Sequence, residues 1–126
     1  MAEVGNKIQL MLNQEGKRGI VMIRENYSLL SEFILRTIKE REKVRLNDLL
    51  EKARHQGFPG LFNQISWSLL QVKLDLEARG LIMMHTTTKT HRLPYIRLTR
   101  KGETAIKNKE SMGIENFYIL LVGDNS

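Results

Sequence analysis

The stretch from Ser66 to Ile106 constrains the fold more than any other part of the chain. Helical spacing over residues 66–79 stops at Gly80, which enters the left-handed conformation without steric cost and suits the position just past a helix end. β-prone residues follow at 81–86. A polar connection, Thr87-Thr88-Lys89-Thr90-His91-Arg92, leads to a second apolar segment at 95–98. Thr99 can then cap a short helix through Ile106. A helix, a strand, a polar turn, a strand and a short helix in immediate succession predict a helix packed on a β-hairpin.

The upstream residues predict further short elements. Two apolar segments, 8–12 and 19–23, flank Asn13-Gln14-Glu15-Gly16-Lys17-Arg18. Glycine and polar residues between β-prone runs predict a hairpin. Leu30, Phe33, Ile34, Thr37, Ile38 and Arg41 recur at helical spacing and predict a helix over 27–42 with one buried face. Asn26-Tyr27-Ser28 supply its expected N-cap. Val44-Arg45-Leu46 suits a short strand. Asn47 is the expected cap of a second helix, 48–55, burying Leu49, Leu50 and Ala53, with Asp48 and Glu51 in a first turn where the helix dipole favours negative charge. Gly57-Phe58-Pro59-Gly60 breaks it. The tail, 114–122, suits a strand or a short helix. Its most apolar part, Phe117-Tyr118-Ile119-Leu120-Leu121-Val122, is expected as a strand, paired with the N-terminal hairpin or set against a second subunit.

The order helix, short strand, helix, helix, strand, polar loop, strand is that of a winged helix-turn-helix. Two heptapeptides make the resemblance specific. Leu76-Glu77-Ala78-Arg79-Gly80-Leu81-Ile82 resembles the end of the recognition helix in MarR-like and PadR-like transcriptional regulators, where a Leu-Glu-x-x-Gly-Leu-Ile/Val stretch turns the helix into the wing. Ile96-Arg97-Leu98-Thr99-Arg100-Lys101-Gly102 resembles the exit from the wing in the same families, commonly Leu-Thr-x-x-Gly. The resemblance spans about 27–107 and omits the hairpin and the tail. It implies an α+β fold with one winged-helix domain over 1–126. Within it, the hairpin is expected at 1–24, the core at 26–108 and a C-terminal apolar strand in the tail at 109–126. It also implies DNA binding, a role in transcription regulation, and dimerisation through elements outside the wing.

Charge placement fits that implication. The net charge is +6. Between Gly80 and Lys109 stand Lys89, Arg92, Arg97, Arg100, Lys101, Lys107 and Lys109 against Glu103 alone, while basic and acidic residues cancel over the rest of the chain. A localised positive field of this kind attracts polyanions such as nucleic acid or anionic lipid without distinguishing DNA from RNA, and a solvated basic surface that aids solubility is the alternative. Lys89, His91, Arg92, Arg97, Arg100 and Lys101 are the expected phosphate contacts. Ser68 and Gln71 on one polar strip of the recognition helix, and Lys73 on the other, are the candidates for base contacts.

One feature of that helix opposes base reading. At about 100° per residue it carries two apolar stripes. Leu69, Val72 and Leu76 are expected in the core. Trp67, Leu70, Leu74 and Ala78 then lie near the surface that would meet DNA, and Asp75 and Glu77 repel phosphate. Such a stripe needs a cover. The N-terminal hairpin or the 58–62 loop is the expected one. A second subunit or a protein partner is the alternative, which makes a non-enzymatic protein-interaction module using Trp67, Leu70 and Leu74 the second reading.

Other classes are disfavoured. The chain has no cysteine, hence no disulfide, thiolate metal site or cysteine nucleophile, as suits a reducing cytoplasm. Residues 1–7 lack a secretory-signal pattern, and no apolar run approaches the roughly 20 residues of a membrane helix. A cytoplasmic location without a membrane partner is therefore expected. His85 and His91 have no third ligand, and none of His55, His85 and His91 has a serine with an acid at a familiar spacing. There is no glycine-rich phosphate loop, hydrolase elbow or His-Glu-x-x-His. Enzymatic activity, a metal and a cofactor are not expected.

Overall fold

The computed structural model describes residues 6–58, 61, 64–85, 94–109 and 117–122. The described elements, in chain order, are β1 (Lys7–Met11), β2 (Arg18–Ile23), α1 (Arg24–Arg41), β3 (Val44–Arg45), α2 (Leu46–Gln56), α3 (Ile65–Ala78), β4 (Ile82–His85), β5 (Tyr95–Leu98), α4 (Arg100–Asn108) and α5 (Phe117–Val122). The chain is α+β. β1 and β2 form an antiparallel pair, and β3, β5 and β4 form an antiparallel sheet in that order.

The hairpin turn is built by one side chain. Asn13 Oδ1 accepts from the backbone N–H of Glu15 at 2.9 Å and of Lys17 at 3.2 Å. Gly16, at φ 90°, supplies the left-handed residue that closes the turn. Leu10 and Met22 point into the core, whereas Val21 and Ile23 are exposed. β2 runs into α1 without a loop, so Ile23 occupies the N-cap position and no side chain caps the helix. The expected cap at Asn26-Tyr27-Ser28 is thereby corrected. Tyr27 and Ser28 are fully buried instead and spend their hydroxyls on neighbouring elements.

α1 is the central element, packed against both sheets and against α3, α4 and α5. Leu30, Phe33, Ile34, Thr37 and Ile38 are buried as their spacing predicts, but Arg41, at the helix end, is exposed. α2 likewise begins straight from a strand. Val44 pairs with Ile96 and Arg45 with Tyr95, so Arg45 is the cap position and Asn47 falls inside the helix rather than capping it. Leu49 and Ala53 are fully buried and Leu50 half-buried.

The two heptapeptides that carry the resemblance meet in space. α3 ends in a Schellman arrangement: Gly80, at φ 79°, donates to Glu77 O at 3.1 Å and Leu81 donates to Leu76 O at 2.9 Å. Thr99 donates through Oγ1 to Gly80 O at 2.6 Å and through its backbone N–H to Leu81 O at 3.1 Å. The same Oγ1 accepts from Gly102 N at 3.1 Å, capping α4. A Cβ on Gly102 would stand 2.1 Å from Leu81 O, so only glycine lets α4 lie against the end of α3.

The tail departs from the expected strand. Phe117–Val122 is a helix. Phe117 and Leu121, four residues apart, bury against α1, and the Tyr118 N–H donates to Ser28 Oγ at 3.2 Å. Pairing with the hairpin does not occur, since β1 and β2 make a two-stranded sheet among the described residues.

Candidate nucleic-acid interface

Strand pairing sorts the three-stranded sheet into rows. Val44, Ile96 and Met84 share one row and Leu98 with Ile82 another, and these face the core. The alternating rows face outward, because successive strand residues point to opposite sides. One outward row is Arg45–Tyr95–His85 and the next is Arg97–Met83. Lys43 Nζ lies 4.7 Å and Arg45 Cζ 5.0 Å from the centre of the Tyr95 ring, and Arg45 Nη2 donates to Tyr95 OH at 3.2 Å. The ring thus gathers two cations on one sheet face. Arg45 Nε is shielded from solvent and has no hydrogen-bond partner.

The remaining expected phosphate contacts are less uniform. Arg97 is exposed but shares a cleft of about 250 Å³ with Lys39, Glu42 and Glu103, so its field is partly opposed. Arg100 is exposed. Lys101 donates from Nζ to Arg79 O at 3.1 Å, capping the negative end of α3. Lys109, counted in the basic run, is ion-paired with Glu32 of α1 at 2.9 Å. Lys89, His91 and Arg92 lie outside the described residues, in the connection whose ends are held by His85 and Pro94. Nothing local in the sequence marks Lys43, Arg45 and Tyr95 as a group. They come together only through the pairing of β3 with β5.

α3 is built differently from the expected reading helix. Leu69, Val72 and Leu76 are fully buried, as expected. Each contributes about 1.5–3 kcal/mol by burial. Its polar side is buried as well. Ser68 is only 3% exposed, so the structure corrects its assignment as a base contact. Gln71 is half-buried beside Gly19 of the hairpin. Lys73 is 9% exposed and paired through Nζ to Glu77 Oε1 at 2.9 Å, which corrects its assignment too.

The hairpin reaches the flank of α3 that carries Ser68 and Gln71, opposite Lys73, through Asp75, which has no solvent exposure. The Asp75 carboxylate accepts from Met11 N at 2.8 Å, Tyr27 OH at 2.5 Å and Arg79 Nε at 2.9 and 3.0 Å. Arg79 Nη2 donates in turn to Gln9 O at 3.2 Å. Burial and the Asp75 carboxylate beside it push the Tyr27 phenol well above its ordinary pKa, so it stays a donor. Burial works against the Arg79 charge, but the Asp75 hydrogen bonds and charge more than offset it, raising its pKa.

The hairpin therefore covers the Ser68 and Gln71 flank of α3 and meets the apolar stripe at Leu74 and Ala78, so the expected cover is partial and Trp67 stays open. Trp67 is 50% exposed, and Leu70, Leu74 and Ala78 are half-buried. The hairpin turn approaches the far end of the stripe across a cleft of about 450 Å³ lined by Leu12, Glu15, Leu74, Glu77 and Ala78 among others. Phe58 and Leu61, from the loop expected as a second cover, are buried in the core, where Phe58 meets Phe33 edge to face.

Residues 7–93 match a family of unknown function, DUF6958. The chain belongs to that family. The matched region runs from β1 through β4, so the hairpin that the winged-helix resemblance omits is part of the family unit. No curated protein and no solved structure matches the chain. Among the described residues, no cluster of three or more histidine, aspartate or glutamate side chains could hold a metal, and no helix is long and apolar enough to cross a membrane.

Proposed function

We propose that this chain is a winged helix-turn-helix protein that binds double-stranded DNA through its phosphate backbone, using the three-stranded sheet and its wing rather than α3. The strand order β3-β5-β4, with α2 and α3 between β3 and β4, supports the winged-helix reading. The observation that carries the binding reading is the cationic outer row of the sheet. Lys43 and Arg45 gather on Tyr95, Arg97 lies in the next row, and the connection from β4 to β5 adds Lys89 and Arg92. With Ser68 and Lys73 buried, backbone contact dominates and sequence preference is weak. Transcription regulation and dimerisation belong to this reading through the resemblance alone.

The test is anisotropy binding of a random-sequence DNA duplex across a salt series, with an RNA duplex of equal length for comparison. Log affinity is expected to fall linearly with log salt, by about 0.9 for each phosphate neutralised. No binding at low salt overturns the reading.

The 50% exposure of Trp67 favours a second reading, a protein-interaction module whose contact is the Trp67/Leu70/Leu74 stripe of α3. Iodide quenching of Trp67 separates the two. DNA bound at the sheet face leaves Trp67 open to iodide, whereas a ligand on α3 shields it.

A further inference from the structure

We infer that the cleft where the N-terminal hairpin, α1, α3 and α5 meet is a binding site for a small oxyanion, a carboxylate or a phosphate. The cleft encloses about 230 Å³ and is lined by Lys7, Ile8, Gln9, Arg24, Arg79, Tyr118 and Val122. Among the described residues, its lining holds three cations and no carboxylate. One of those charges is already answered, since Arg79 is paired with the buried Asp75. Among the described residues no carboxylate is paired with Lys7 or Arg24, which leaves two positive charges facing one small cavity. Arg24 is also the first residue of an uncapped helix, whose N-terminal end adds positive potential.

The Arg24 guanidinium is set up for recognition. It lies over the Tyr118 ring at 4.5 Å and donates from Nη1 to Tyr118 OH at 2.8 Å. Tyr118 is itself fixed, with its backbone N–H on Ser28 Oγ and the neighbouring Phe117 fully buried. A guanidinium stacked in this way keeps its plane and presents its N–H edge, the geometry that grips planar or tetrahedral oxyanions. Its Nε is shielded from solvent and has no hydrogen-bond partner. A buried unpaired donor is costly, and an oxyanion held by the same guanidinium offsets that cost electrostatically. Ile8 and Val122 give the cavity an apolar wall that suits a short organic stub on the anion. The volume is below that of a typical drug-sized pocket, which restricts the ligand to a small molecule.

The site is separate from the sheet face, so it can be tested independently of the DNA reading. The full chain is titrated with inorganic phosphate, acetate and benzoate at physiological salt. Binding is followed by the NMR shift of the Arg24 Nε–H and the Tyr118 amide, and by thermal melting. Saturable shifts at both groups are expected. Tighter binding of benzoate than of phosphate or acetate identifies a carboxylate on an apolar stub, and tightest binding of phosphate identifies a phosphoryl group. Arg24→Gln is expected to weaken the tightest of the three by about tenfold or more, the loss of one charge-assisted contact. Lys7→Gln, at an exposed strand position that leaves folding intact, is expected to weaken it by a smaller factor in the same direction. Arg97→Gln on the sheet face should leave it unchanged, and Arg24→Gln should leave the DNA salt slope unchanged. Three outcomes overturn the assignment: no saturable shift at Arg24 and Tyr118, affinity untouched by both Arg24→Gln and Lys7→Gln, or an equal loss in Arg97→Gln, which would mark general attraction to a basic surface.

Discussion

α3 and the outer face of the β3-β5-β4 sheet are the two surfaces that the proposed winged-helix reading offers to a nucleic acid, and they are built in opposite ways. On α3 the polar residues are turned inward, with Ser68, Lys73 and Asp75 buried, and the open surface is Trp67 flanked by half-buried leucines. On the sheet most apolar residues are turned inward, and the outer face carries exposed Lys43, Arg97 and Met83 beside half-buried Arg45 and Tyr95. The difference shows that position in a motif does not assign a role. α3 spends Asp75 on holding the hairpin and Lys73 on Glu77, whereas Lys43 and Arg97 stand exposed at the neighbouring sheet.

The sharpest break in this contrast would come at Asp75. Removing one partner of a buried, hydrogen-bonded charge pair typically costs about 3–5 kcal/mol. Asp75→Ala strands Tyr27 OH, Arg79 and the Met11 N–H together. Denaturant unfolding is therefore expected to show a loss in that range, with the hairpin amides losing hydrogen-exchange protection first. Were the polar side of α3 a ligand surface instead, the variant would keep its stability and gain DNA affinity from the lost negative charge.

The next effect is on the other face. Lys43→Ala combined with Arg97→Ala removes two cations from the sheet, and the DNA salt slope should fall by about 1.8. An unchanged slope would take the sheet face out of the interface and leave Lys89 and Arg92 of the connection as the remaining candidates.

Tyr27→Phe asks how much of the α3 side rests on its phenol. Asp75 keeps its bonds from Met11 and Arg79 but loses one donor, at a cost of about 1–2 kcal/mol. The phenol's raised pKa, due first to burial and then to the Asp75 charge, also makes stability depend on pH. The folded chain holds the proton when the unfolded one releases it. The contribution is therefore complete below the ordinary tyrosine value near 10 and is lost as pH rises above it, at up to about 1.4 kcal/mol per pH unit. Between about pH 10 and 11, wild type should lose more stability in urea titrations than Tyr27→Phe. Parallel losses would mean the phenol is not held in its neutral form.

What could be read from the sequence was local, and what could not depended on distant partners. Gly80 as a helix end, Thr99 as a cap and the 95–98 strand follow from residues within one turn of each other, and all three hold. Asn26 and Asn47 looked like caps because the strands before them were not known to run straight into the helices. Phe117–Val122 is β-prone by composition and helical because Phe117 and Leu121 find a groove on α1. The basic run lost Lys109 to Glu32, and the cation cluster gained Lys43 and Arg45 through a strand pairing. The burial of the polar side of α3 hinges on Asp75 meeting Met11 across 64 residues, a contact that no periodicity announces.

The smallest expected effect is the most discriminating for α3. Trp67 is half exposed, so truncating it to alanine removes only part of a large side chain's transfer free energy, on the order of 1 kcal/mol. Leu69, two residues away and fully buried, should cost about 2–5 kcal/mol when cut to alanine. If Trp67→Ala proves as costly as Leu69→Ala, Trp67 is covered in solution, α3 is core on every side, and the stripe cannot receive a partner. If the cost is small and Trp67→Ala leaves DNA affinity and salt slope untouched, the sheet acts without α3 and the stripe stays free for a separate protein contact. A small cost in stability together with a large loss of DNA affinity would reverse the contrast. The indole would then lie against the duplex, and α3 would contribute by apolar contact at the base edges in place of hydrogen bonds.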